Sequence, residues 1–111
     1  MKKYVWCTLQ LEGMHNWKNC NLDDVMFLKN PHRHMFHFKC VKEVTHNDRD
    51  IEFIILKRQI TRYLLSKWGQ DNTLIFNSMS CEMIAEDLLK EFLLTSCSVS
   101  EDGENGGTVH I

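Results

Sequence analysis

The hydrophobic residues change period along this chain, and the order of the changes restricts the fold more than any other feature. Residues 3–12 and 34–44 alternate. Val5, Cys7, Leu9 and Leu11 share one face of the first stretch; His34, Phe36, Phe38, Cys40 and Val44 share one face of the second. A period of two is that of a half-buried strand. Residues 52–68 and 81–94 recur instead at steps of three and four. Phe53, Leu56, Ile60, Tyr63 and Leu64 form one stripe, and Ile84, Leu88, Leu89 and Phe92 the other. That spacing predicts two amphipathic helices. Asp50 and Ser80 are the expected N-caps, and Gly69 is placed to end the first helix. A short strand is expected over 96–101, a glycine-rich turn over 102–107 and a returning strand over 108–111. Residues 16–31 and the segment between the helices read as loops. The expectation is an α+β fold, with an antiparallel sheet and both helices on one face.

With 111 residues the chain is long enough for one domain, spanning 1–111. Its formal net charge of -2 gives no electrostatic case for nucleic acid, which calls for a basic face. The longest apolar run, Phe53 to Leu56, is far below a membrane span, and Gln10, Glu12 and His15 interrupt any secretory apolar region. Five cysteines with no CxxC pair suit reduced thiols in a cytoplasmic compartment, three or four of them buried as small apolar residues.

Three of the six histidines have a meaningful layout. His32 and His34 are two apart at the start of a strand, which projects both rings to one side. His15 follows the first strand in parity with Leu9, Leu11 and Gly13. Pairing the two strands would bring the three rings together. Three neutral imidazoles with one open position make a catalytic-type zinc site. On spacing alone, His32-Arg33-His34 reads equally as a polar strand edge. His37 falls on the opposite face, and His46 and His110 read as solvated.

Five short stretches then resemble, in order, the 6-pyruvoyl-tetrahydropterin and 6-carboxy-tetrahydropterin synthase family. Leu11 to His15 is similar to that family's Phe-x-Ala-x-His, and His32-Arg33-His34 to its His-Gly-His. Glu52 to Lys57 is similar to Asp-Phe-x-x-Leu-Lys, Ser80 to Ala85 to Thr-x-Glu-x-x-Ala, and Val99-Ser100-Glu101 to Val-x-Glu. The resemblance implies a tunnelling fold: a four-stranded antiparallel sheet, two helices on one face, and sheets joined into a barrel of three or six copies. It implies Zn2+ on His15, His32 and His34. It also implies a pterin-, purine- or nucleotide-like ligand between subunits, anchored by Glu101 through paired N–H bonds to the carboxylate. Ser80 and Arg33 join Glu101 as candidate ligand-binding residues.

The chain departs from the family in its acid–base groups. Residues 25–31 hold no cysteine, and Trp68 to Leu74 lacks the family's Asp-His pair. Cys20 and Asp71 are the candidate catalytic replacements, with Asp23, Asp24 and His37 as further options. A placed proton-transfer group is worth roughly 10²–10⁴ in rate. The expected function is therefore zinc-dependent ligand binding without the family's usual catalysis. The alternatives are an active lyase acting on dihydroneopterin triphosphate, with Arg33, Arg49 or Lys57 meeting phosphate, and a barrel whose assembly is its purpose.

Overall fold

A computed structural model describes all 111 residues. Two long strands, β1 (Lys3–His15) and β2 (His32–Val44), pair antiparallel along their whole length, from Lys3↔Val44 to His15↔His32. Helix α1 (Phe53–Trp68) follows, then the short strands β3 (Gly69–Gln70) and β4 (Thr73–Asn77). Helix α2 (Cys81–Phe92) and strands β5 (Ser96–Glu101) and β6 (Asn105–His110) complete the chain. The sheet order is β3-β4-β1-β2-β5-β6.

The expected four-stranded antiparallel sheet is thus corrected to a mixed sheet of six strands. The two extra strands come from the segment between the helices, whose sequence reads as a loop. Asp71 and Asn72 both take positive φ (50° and 66°) between Gln70 and Thr73, so a two-residue turn folds β3 onto β4. Strand β4 then runs parallel to the end of β1, at Gly13↔Leu74 and Met14↔Ile75. Residues 16–31, also expected as a loop, include a 3₁₀ segment over Asp23–Lys29. The closing turn is shorter than 102–107: Asp102 and Gly103 supply positive φ, and β6 begins at Asn105.

Alternation places the core. Cys7 and Leu9 of β1, Phe36, Phe38 and Cys40 of β2, and Cys97 and Val99 of β5 project to one side. There they meet Leu56, Ile60 and Leu64 of α1 and Ile84, Ala85 and Leu88 of α2 in a single cluster. Both helices therefore cover the same sheet face. All five cysteines are buried and free, where the sequence suggested three or four. Phe53, expected on the buried stripe of α1, is instead half exposed. The N-cap of α1 is Glu52 rather than Asp50. The Glu52 carboxylate accepts from the amides of Ile54 and Ile55 at 2.7 and 3.2 Å. Asp50 accepts instead from Thr45, closing the preceding loop. Ser80 caps α2, its hydroxyl accepting from the Met83 amide. Tyr63 and Lys67 of α1 both donate to Asp87 of α2, fastening the helices together.

Candidate metal centre

The register of β1 and β2 sets His15 opposite His32 and Gly13 opposite His34, with all three rings on the helix-covered side of the sheet end. Their centroids lie 4.6, 4.9 and 5.4 Å apart. Phe36 forms the floor, edge-on to His15 and His34 at 5.1 and 5.9 Å. Gly13 leaves room for that ring, because a Cβ there would lie 2.7 Å from Phe36 Cδ2.

Each imidazole is held through its Nδ1. That of His32 lies 2.8 Å from the Asn30 carbonyl, that of His15 3.4 Å from the Met79 carbonyl, and that of His34 2.7 Å from Asp102 Oδ2. These partners only accept, so Nδ1 carries the proton in each ring and the Nε2 lone pair is free. All three Nε2 atoms are buried with no hydrogen-bond partner. Leaving a buried polar atom unpaired costs roughly 1–3 kcal/mol, so three converging on one point need a common occupant.

Glu101 enters the same point from β5, where it pairs with Phe36. Its Oε1 lies 2.8 Å from His15 Nε2 and its Oε2 3.4 Å from His34 Nε2. With the proton on Nδ1, His15 Nε2 and the Glu101 oxygen are both acceptors, so this short contact is not a hydrogen bond and leaves Nε2 unpaired. One donor atom from each of His15, His32, His34 and Glu101 lies within 4.8 Å of all the others. This group can hold a metal ion. Burial lowers the His15 pKa, partly opposed by the nearby Glu101 charge, and so favours the neutral, ligating ring.

Asp102, adjacent to Glu101 in the chain, was not foreseen. Its Oδ1 accepts from the Met35 amide at 2.9 Å while Oδ2 holds His34. These two bonds, the Met35 bond foremost, keep its carboxyl below the usual range. The available signal was the Asp-Gly turn, since aspartate tolerates the φ of 58° found there. Carboxylates that orient ligating histidines typically carry 10–100-fold in metal affinity. Asp102→Asn keeps the turn and can still accept from Met35, but loses the charge facing His34. Its affinity for a divalent metal ion, measured by competition with a chromophoric chelator, should fall about 10–100-fold. An unchanged affinity would remove Asp102 from the site.

Beside the cluster lies a cavity of about 470 Å³, whose walls include Trp17, Leu28, Met79, Met83 and Glu82. Ser80 lines it while capping α2. The other candidates lie elsewhere. The Cys20 side chain is buried in its own loop, its thiol 3.6 Å from the Val25 carbonyl. Asp71 occupies the β3–β4 turn, at the opposite end of β4 from the Asn77 that neighbours His15. Arg33 projects to the other sheet face, where its Nε and Nη2 contact the Glu12 carboxylate at 2.6 and 3.1 Å.

No family model matches the chain, and no curated protein matches it. Among solved structures, it is similar to the crystal structure of an uncharacterized protein from Wolinella succinogenes. The match has a TM-score of 0.67 at 11% identity and covers 99% of this chain and 98% of the other. That likeness concerns the fold alone.

Proposed function

We propose that His15, His32 and His34 hold one zinc ion and that the adjoining cavity binds a pterin-, purine- or nucleotide-like molecule. On this reading the protein is a diverged relative of the tetrahydropterin synthases of the tunnelling fold, without their usual reaction. One observation carries it: three buried Nε2 atoms with no partner, each on a ring whose Nδ1 is already held. Three nitrogens and a carboxylate suit zinc, which favours such donors in a four-coordinate shell. When bound, zinc would supply a Lewis acid. The chain's own residues fix the three rings, with Glu101 poised as a fourth donor.

The positions of Cys20 and Asp71, neither lining the cavity, support binding without the family's catalysis. Two unpaired sheet edges support assembly of copies through their sheets: β1 along Lys3 to Leu11, and the outer side of β6. Elemental analysis of protein purified without chelators or added metal tests the zinc reading. The expected content is about one zinc per chain, as for a single four-donor site. Protein purified metal-free, and still unable to take up zinc at micromolar concentration, would reject it.

A further inference from the structure

A row of three thiols crosses the sheet inside the core, away from the histidines. The register sets Cys7 of β1 opposite Cys40 of β2, and Cys40 opposite Cys97 of β5. All three project to the helix-covered side. We infer that this row is a site of reversible oxidation by hydrogen peroxide, in which Cys7 reacts first and a Cys40–Cys97 disulfide is the product.

Backbone geometry permits both bonds. In an antiparallel sheet the N–H and C=O of one residue point to the same neighbouring strand. The Met35 and Val41 carbonyls accept from the Asp102 and Thr95 amides, so alternate residues of β2 from Met35 to Val41 bond toward β5. Cys40, one position out of step, bonds toward β1. Cys7 and Cys40 are therefore a hydrogen-bonded pair, a type with Cα atoms about 5.5 Å apart. Cys40 and Cys97 are a non-hydrogen-bonded pair, a type about 4.5 Å apart with the side chains closest. Both separations fall within the roughly 4.4–6.8 Å that a disulfide spans. The Cys40 and Cys97 sulfurs already lie 4.0 Å apart, so side-chain rotation is enough to join them.

Position and charge single out Cys7. It is 6% exposed, whereas Cys40 and Cys97 are fully buried. It lies on the unpaired part of the β1 edge, because β4 reaches only Gly13, Met14 and His15. A strand added at that edge would lie in the plane of the sheet, whereas the Cys7 side chain stands out of that plane. A hydrogen bond from the Cys40 thiol and the charge of Lys57 hold the Cys7 thiol below its usual range, against the effect of burial. Cys40 moves the other way, raised by its contacts with Cys7 and Cys97 and by burial. The thiolate is the nucleophile, so the row has its attacking sulfur at the edge and a protonated partner behind it.

The Cys7 thiolate attacks one peroxide oxygen and forms S–OH, while the other oxygen takes a proton and leaves as water. The Cys40 sulfur then attacks the Cys7 sulfur. An S–S bond forms, and the hydroxyl leaves as water with the Cys40 proton. Cys97 attacks the Cys40 sulfur from the side opposite Cys7, and Cys7 leaves with the proton that Cys97 gives up. The thiol of lowered pKa is the better leaving group. Two thiols have then lost two hydrogens and two electrons, and the peroxide has become two waters.

Reduced, folded protein treated with a small excess of hydrogen peroxide should fall from five alkylatable thiols to three, counted after denaturation. Peptide mapping should find Cys40 joined to Cys97, and a dithiol reductant should restore all five. Cys7→Ala should slow the loss of thiols by about tenfold or more, since it removes the attacking thiolate. Cys97→Ala should stop at a Cys7–Cys40 disulfide, and Cys20→Ala should react as the wild type does. Circular dichroism of each reduced variant confirms its fold first. The wild-type map decides even where a variant does not fold. Five surviving thiols in the wild type, a disulfide that includes Cys20 or Cys81, or wild-type kinetics in folded Cys7→Ala would each overturn the inference. None of these readouts depends on zinc, so the earlier reading stands or falls separately.

Discussion

The protein carrying His32→Ala and His34→Ala should fold and retain almost no zinc, less than about a tenth of an equivalent after gel filtration. Structural four-ligand zinc sites bind with roughly 10–16 kcal/mol, and removing two of four donors removes most of that. The fold should survive, because no histidine belongs to the 17-residue core between sheet and helices. The substitutions also delete two of the three unpaired Nε2 atoms, a relief that offsets part of the lost ring packing. Thermal unfolding then separates site from scaffold. Zinc at 100 times its dissociation constant should stabilise the wild type by about 2.7 kcal/mol, which is about 10 °C for a domain of this size. The double variant should not respond. An equal zinc-induced shift in both proteins would mean that the ion binds elsewhere.

Phe36→Ala should lower stability by about 3–5 kcal/mol, with a fall of more than about 10 °C in thermal midpoint. Phe36 is fully buried, and its ring meets Phe76 at 5.1 Å as well as His15 and His34. The same ring is the reason that position 13 is glycine. Truncation therefore opens a cavity under the three histidines as well as in the core. Zinc affinity should fall with stability, although Phe36 offers no donor atom. Met35 is the control: it is next in the chain, on the open face and 38% exposed. Met35→Ala should cost less than about 1 kcal/mol, as substitutions outside the core usually do. Equal losses at positions 35 and 36, measured by urea unfolding, would contradict the assignment of the two sheet faces.

Those faces were legible from alternation alone. Once β1 and β2 are strands, Cys7, Leu9, Phe36, Phe38 and Cys40 must share a side, and His32 and His34 must share one too. The parity of His15 with Leu9 and Leu11 also held, since β1 runs unbroken to that residue. The three-ring convergence then needed only an antiparallel pairing in the correct register. The β3–β4 hairpin was harder to foresee. Five residues of β4 are too few to establish a period, and the turn signal, Asp71-Asn72, lacks the usual glycine. The expected N-cap at Asp50 failed because a nearby loop amide, Thr45, competed for its carboxylate.

The sequence by itself determined the two long strands, the two helices and the closing pair of strands, the sheet face on which the histidines lie and most of the core residues those elements carry, though not Leu74 and Phe76 of β4. Each follows from a local period that is two for strands and near 3.6 for helices. Only the tertiary structure decided what surrounds the rings. Asn30, Met79 and Asp102 hold the Nδ1 atoms, Glu101 turns into the cluster, and Cys20 and Asp71 stay outside. These contacts join positions as far apart in the chain as His15 and Glu101. They are set by strand register and turn geometry, and no pattern of neighbours along the chain encodes either one.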